Sequence, residues 1–344
     1  MRMADKKLLN CTAVKTILML FVMLYHSCVF WTGTWWDTLP LFPSPVLNYL
    51  ARWLNSFHIY AFTLASGYLF VYKIQSGSYG KYWPFLKNKA RRLLIPYLFT
   101  ALVWVVPISV YLFQWDAALL LRKFVFCIEP EQLWFVWMLF DVFALVWPLR
   151  NTMIEHPRRG VLIVMLFYIV GILGKKFLPN VFCVWTACRY VPFFYMGMCL
   201  RKADVKGKKE RVPWYGWLAA DLLTFALTLQ LGNRPGIFWR MAQSGMQFVL
   251  HMLGAITAWT SLQALSGVWP WRESKLFQLL LSYAMPMYLF HQQIIYFTID
   301  KWDGKLNPFC HASVNFTAAF CGSFLISALL MKWKVTRTLI GENR

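Results

Sequence analysis

Ten apolar stretches of membrane-spanning length follow one another along the chain, at about 11–31, 46–72, 92–113, 132–149, 160–174, 181–200, 212–231, 245–267, 276–298 and 312–331. An α-helix needs ~17–25 such residues to cross the hydrocarbon core of a bilayer. In that medium every backbone N–H and C=O must be satisfied within the segment or within a closed barrel. Repeated runs of this length therefore predict an all-α integral membrane protein of about ten transmembrane helices. The fifth stretch is short and Gly-flanked and the sixth carries Arg189, so eight spans is the competing count. Composition separates this chain from soluble alternatives, because only 14% of its residues are charged where a globular domain has about a quarter. Nineteen Trp fit the aromatic belts of a polytopic protein. Disorder, collagen and coiled coil are excluded.

A formal charge of +21 would suggest nucleic acid as the partner of a soluble chain. Its distribution gives another reason. With ten spans and an inner N-terminus, 24 of the 35 Lys and Arg fall on inner segments, 8 fall on outer ones, and Lys15, Arg52 and Arg189 lie within spans. Basic loops collect on the cytoplasmic side, so both termini are expected there and no nucleic acid is expected. The first apolar run is read as a span rather than a cleaved signal, since bulky Phe30, Trp31, Trp35 and Trp36 stand where small residues would be required. No connection exceeds about twenty residues and no internal repeat is visible. Residues 1–344 are thus expected to form a single polytopic domain without an appended soluble domain. The eight cysteines include no CxxC pair and read as small packing residues; no metal site is expected.

Polar side chains at membrane depth carry the functional signal, because each is costly in hydrocarbon and faces the bundle interior or a wet cavity. Lys15, His26, Arg52, His58, Asp141, Arg189, Asp221, His251 and His291 form this set. Lys15 and His26 are eleven residues apart, which returns them to one helix face within ~20° and separates them by ~16 Å along the axis. Antiparallel spans bring His26, His58 and His291 to the outer half, with Arg52, His251 and Arg189. A single histidine at such a depth is more often a hydrogen-bonded core residue than a ligand. Several at one level point to a site. On the inner side, Lys87, Lys89, Arg91 and Arg92 form a cluster in the loop after span two, followed by a Pro96 that shapes the start of span three. Topology alone accounts for it about as well as an anion site for a phosphate-bearing cofactor does. Ser66-Gly67-Tyr68 lies between the two levels, where Gly permits close approach of a helix or a ligand.

The string Lys15-Thr-Ile-Leu-Met-Leu-Phe-Val-Met-Leu-Tyr-His26, then Ser56-Phe57-His58 with Phe62 and Ser66-Gly67-Tyr68-Leu69-Phe70, then Lys89-Ala-Arg91-Arg92-Leu-Leu-Ile-Pro96-Tyr97, resembles the opening of acyltransferase family three. Leu133-Trp134-Phe135, the stretch from Val191 to Gly197, and Tyr283 through His291 agree more loosely. The resemblance implies a multi-pass enzyme of the cell (inner) membrane that O-acylates sugars and glycans. Its donor would be cytosolic acyl-CoA, usually acetyl-CoA, and the acceptor would lie on the membrane or its outer side, as in polysaccharide or exopolysaccharide modification. The family's basic residue upstream of its span-one His maps to Lys15, that His to His26, and the family's Arg-x-x-Arg pair to Lys89 and Arg92. Lys replaces Arg at two of these positions, and Thr12 and Thr16 stand where an acidic residue and a Gly are common.

The catalytic set expected from these readings is His26, Lys15, His58 and His291. Lys87, Lys89, Arg91, Arg92, Ser66, Gly67 and Tyr68 are expected to serve acyl-CoA, and Arg52, Arg189 and Trp134 the sugar. Partners are acyl-CoA, a sugar or glycan acceptor, the lipid bilayer and a second copy of the chain in a homo-oligomer. A transporter or lipid-glycan flippase would also use intramembrane charges, although paired repeats with broken spans are its usual signature. A b-type haem carrier would use histidine pairs such as His26 with His58.

Overall fold

The computed structural model describes residues 3–35, 38–208, 212–232 and 234–342, and among them there are helices and no strand. Trp36, and Arg2, Lys209, Arg211 and Arg344 of the inner basic segments, lie outside the described residues. The helices are α1 (Met3–Cys28), α2 (Pro45–Gln75), α3 (Tyr82–Thr100), α4 (Val106–Phe113), α5 (Ala117–Leu120), α6 (Trp134–Glu155), α7 (Pro157–Phe177), α8 (Val184–Val205), α9 (Trp214–Gly232), α10 (Ile237–Val268), α11 (Lys275–Trp302), α12 (Pro308–Leu330) and α13 (Lys334–Leu339). A wider π-type turn at Ala101–Val105 joins α3 to α4 without a break. Each apolar stretch marked in the sequence lies mainly on one of these helices, except 92–113, which runs through α3, the π-type turn and α4. Among the described residues, six segments are long and apolar enough to cross a membrane: Asp5–Thr32, Tyr82–Phe113, Glu131–Glu155, Pro157–Phe177, Ile237–Val268 and Pro308–Leu330.

The start of α3 corrects one sequence reading. Lys87, Lys89, Arg91 and Arg92 are helical rather than part of a loop, and Pro96 sits inside the helix rather than at its beginning. Pro84 explains the earlier start, since proline is tolerated in the first turn, where its missing N–H has no partner to lose. Leu, Lys, Ala and Arg beyond it are strong helix formers. The charged positions continue a helix that hydropathy alone begins only at 92.

The contacts divide the chain into two compact units. The first comprises Met1–Val71, Met196–Leu281 and Asp303–Ala312. Here α10 packs along α9 and against α1. Gly254 of α10 makes room for α2, because a Cβ added there would stand 2.9 Å from Cβ of Phe57 and 3.2 Å from the Ser56 carbonyl oxygen. Trp53 Nε1 donates to Asp221 Oδ2 at 3.0 Å, tying α2 to α9. Gly197 of α8 meets α2 still more closely, with no space for a Cβ beside the Leu64 carbonyl.

The second unit comprises Tyr72–Tyr195, Ser282–Trp302 and Ser313–Arg344. Its α3 and α7 both pack on α6. Tyr97, fully buried, donates its hydroxyl to the Phe124 carbonyl at 2.8 Å and so anchors the segment between α5 and α6. That segment and the turn before α8 both use left-handed backbone at non-glycine residues, Cys127, Glu129 and Glu131 in one and Phe182 and Cys183 in the other. Phe182 N–H donates to the Phe126 carbonyl at 2.8 Å, and the Cys183 thiol to the Cys127 carbonyl at 3.2 Å. Conformations of this kind persist only where surrounding contacts hold them.

Candidate active site

Helix α1 is unbroken from Met3 to Cys28, so Lys15 and His26 share one rigid element. Lys15 is half-buried, and its Nζ stands 4.8 Å from the centre of the Phe62 ring on α2. A cation held over a ring face in a partly desolvated site gains ~1–2 kcal/mol. At the other end of α1, Tyr25 stands between two imidazoles. Its ring centre is 4.9 Å from that of His26 and 4.7 Å from that of His58 on α2. Trp35 stacks on His26, with ring centres 5.6 Å apart. Gly33 returns the chain to that position: it ends the 3₁₀ turn Val29–Thr32 at φ 68°, a left-handed conformation that glycine adopts without steric cost.

His58 is buried, and its Nδ1 lies 2.6 Å from the Leu54 carbonyl. A carbonyl accepts only, so Nδ1 carries the proton and Nε2 of the neutral ring is the accepting nitrogen. His251 of α10 follows the same rule through the Ser56 carbonyl at 3.1 Å, and its ring stacks on Tyr60 with centres 4.1 Å apart. Next to this layer, a cavity of about 430 Å³ is walled by Tyr25 and Thr32 at the end of α1, by Arg52, Asn55 and Tyr60 of α2, by Thr228 of α9, and by Gln243, Gln247 and His251 of α10. The volume is that of a small-molecule site. Arg52 donates from Nε to Asn48 Oδ1 at 2.8 Å.

Further along α2, Ser66 and Gly67 are buried, and Ser66 Oγ donates back to the Phe62 carbonyl at 3.0 Å. Tyr68 donates to Asp204 Oδ2 at 3.1 Å, and the other oxygen of that carboxylate pairs with Lys7 Nζ at 3.2 Å. Arg201 Nη1 lies 3.5 Å from the Tyr68 hydroxyl. Tyr68 is thus fixed by α1 and α8 together, an arrangement in which each buried charge has an opposite partner or a hydrogen bond.

The remaining expected residues belong to the second unit. The basic cluster of α3 is divided: Lys87, Arg91 and Arg92 are exposed, whereas Lys89 is half-buried with Nζ 3.8 Å from the Phe143 ring centre and 5.1 Å from that of Tyr79. His291 is fully buried on α11, its Nδ1 2.7 Å from the Tyr288 carbonyl. The next two residues lock that helix to the approach to α6. Gln292 donates to Glu131 at 3.2 Å, and Gln293 exchanges amide hydrogen bonds with Gln132 at 2.6 and 3.0 Å. Arg189 packs its stem against Gly171, leaving no room there for a side chain. Trp134 packs edge-on against Tyr190, centres 5.7 Å apart. Among the described residues no three His, Cys, Asp or Glu side chains gather as metal ligands would.

Asn48, Asn55, Gln243 and Gln247 escaped sequence reasoning although a signal existed, shared with Arg52 and His251, which the sequence had marked. Asn48, Arg52 and Asn55 recur at i, i+4 and i+7 on α2, and Gln243, Gln247 and His251 at i, i+4 and i+8 on α10. Each series is one polar face of a long helix. Tyr25, Tyr60 and Trp35 carried no such signal, because an aromatic residue in an apolar span is ordinarily packing.

No curated protein and no solved structure matches the chain. The family model described as an acyltransferase domain matches residues 10–332, from the first turns of α1 to beyond the end of α12. With its six membrane-length apolar helices, the chain is a multi-pass membrane acyltransferase and belongs to acyltransferase family three.

Proposed function

We propose that this acyltransferase moves an acetyl group from cytosolic acetyl-CoA to a hydroxyl of a sugar on a lipid-linked or cell-surface glycan, a polysaccharide or exopolysaccharide, with His26 as general base. The observation that carries the reading is the placement of His26, stacked on Trp35 and in tilted contact with Tyr25, on the same continuous helix as Lys15. The proposal includes ten spans in the cell (inner) membrane as one polytopic domain with both termini cytoplasmic, which the distribution of Lys and Arg supports. A base is needed because a sugar hydroxyl is a weak nucleophile. The hydroxyl oxygen bonds to the thioester carbon as its proton passes to the imidazole; the C–S bond then breaks and the proton leaves with the CoA sulfur. The ~16 Å between Lys15 and His26 is of the order of a pantetheine arm, so a headgroup held on the inner side presents its thioester to the outer half. In this reading Ser66-Gly67 borders the passage, His58 supports the base, and Arg52 serves the acceptor. Mass spectrometry of surface glycans and lipid-linked sugars tests it: cells lacking the protein lose 42 Da, the mass of an acetyl group less a hydrogen, from one glycan class, and identical spectra overturn it.

The division of the basic cluster separates two roles that the sequence merged. Arg91→Ala with Arg92→Ala is expected to weaken acetyl-CoA binding at least tenfold in calorimetry and leave the melting temperature unchanged, since both side chains are exposed. Lys89→Ala removes a cation seated on Phe143, a contact worth ~0.5–2 kcal/mol, and is expected to lower the melting temperature as well. Unchanged affinity in the double variant would assign those arginines to topology alone.

A further inference from the structure

We infer that the cavity beside Tyr25 receives an acceptor carrying a negative charge, a sugar carboxylate or phosphate, and that Arg52 is the residue that selects it. The inference rests on the proposed function for what the acceptor does, and on the cavity for what the acceptor is. Among the described residues no Asp or Glu lines this cavity. The nearest carboxylate in the wall helices, Asp221, is buried, accepts from Trp53 and does not line the space. Neutral sugars donate through their hydroxyls, and carboxylates are the side chains that accept most strongly from them. Here the polar walls are carboxamides, hydroxyls, one imidazole and one guanidinium.

The guanidinium is placed to act. Arg52 spends its Nε–H on Asn48, one turn away along the same face of α2, which fixes the plane of the group. Among the described residues it forms no ion pair, and being exposed it is accessible to a ligand. Its two terminal nitrogens form the fork that matches a carboxylate or phosphate through paired hydrogen bonds. Asn55 lines the same cavity from α2, and Gln243 and Gln247 line it from α10, so carboxamide donors from two helices face the space. Tyr25 lines the same cavity and touches both His26 and His58. A sugar anchored by its charge at Arg52 therefore presents its hydroxyls toward the layer that holds the base.

The test is binding by the full chain in nanodiscs, without any acyl donor, of methyl β-glucuronide, glucose 1-phosphate and methyl β-glucoside. At least one charged probe is expected to bind ten or more times tighter than the glucoside, and the tighter of the two identifies carboxylate or phosphate as the group. Arg52→Gln is expected to abolish the preference with an unchanged melting temperature. Arg52→Lys, which keeps the charge and loses the fork, is expected to reduce it, and provides the same comparison if the glutamine variant fails to fold. Equal binding of all three probes, or a preference that survives in Arg52→Gln, overturns the inference. Charge-selective binding in a protein that transfers no acetyl group would overturn the proposed function and leave the cavity assignment standing.

Discussion

His26→Gln is expected to lower acetyl transfer by roughly 10²–10⁴-fold, the usual contribution of a positioned general base, while acetyl-CoA binding stays within a factor of two. The glutamine amide approximates the size of the imidazole and preserves a hydrogen-bonding group between Tyr25 and Trp35, whose rings contact His26. It has no nitrogen that accepts a proton near neutrality. A histidine that merely joined helices through a hydrogen bond would be replaced by glutamine with much of the activity kept. The measurement is turnover with saturating acetyl-CoA, beside calorimetry of donor binding, and a robustly active His26→Gln would remove the central claim. Lys15→Arg is expected to remain active, since a guanidinium also stacks on Phe62. Lys15→Ala is expected to raise the KM for acetyl-CoA more than it lowers kcat, because its charge is ~16 Å of helix away from the base.

The helical class was readable because the length of an apolar run answers one physical question, whether a helix crosses a bilayer, and that answer needs no knowledge of neighbours. Lys15 and His26 were readable together for a similar reason: eleven residues of one helix fix their relation. The beginning of α3 was not, because hydropathy stops at the membrane surface whereas helix propensity does not, and Lys87 to Arg92 continue the helix into the charged region. Nor was the fate of Lys89, which depends on Phe143 of another helix. The same limit applies to the cavity. The polar faces of α2 and α10 are each visible as a spacing, but that they enclose one space with Tyr25 is a tertiary fact. It depends on Gly254, whose absent side chain lets α10 reach the backbone of Ser56.

Gly197→Leu is expected to be the most damaging single change outside the base, because it acts on backbone rather than on a side chain that can move. At Gly197 a Cβ has no space beside the Leu64 carbonyl, and it would stand 2.8 Å from the Tyr68 amide nitrogen. Overpacking a core costs typically ~1–3 kcal/mol when side chains give way. Here neither helix has a flexible atom to displace, so α2 and α8 must separate. Separation breaks more than packing, since the crossing is what brings Tyr68 of α2 to Asp204 of α8, and Asp204 in turn holds Lys7 of α1. Loss of a hydrogen bond to a buried charged group costs a further ~1.5–3 kcal/mol. Gly197→Leu is therefore expected to give little monodisperse protein after extraction, and Gly197→Ala a melting temperature several degrees below that of the parent. Tyr68→Phe separates the two contributions: it removes the hydroxyl's bond to Asp204 without forcing the helices apart, and its loss should be smaller than that of Gly197→Ala. Normal yield and melting temperature in Gly197→Leu would mean that α8 does not cross α2 at this residue.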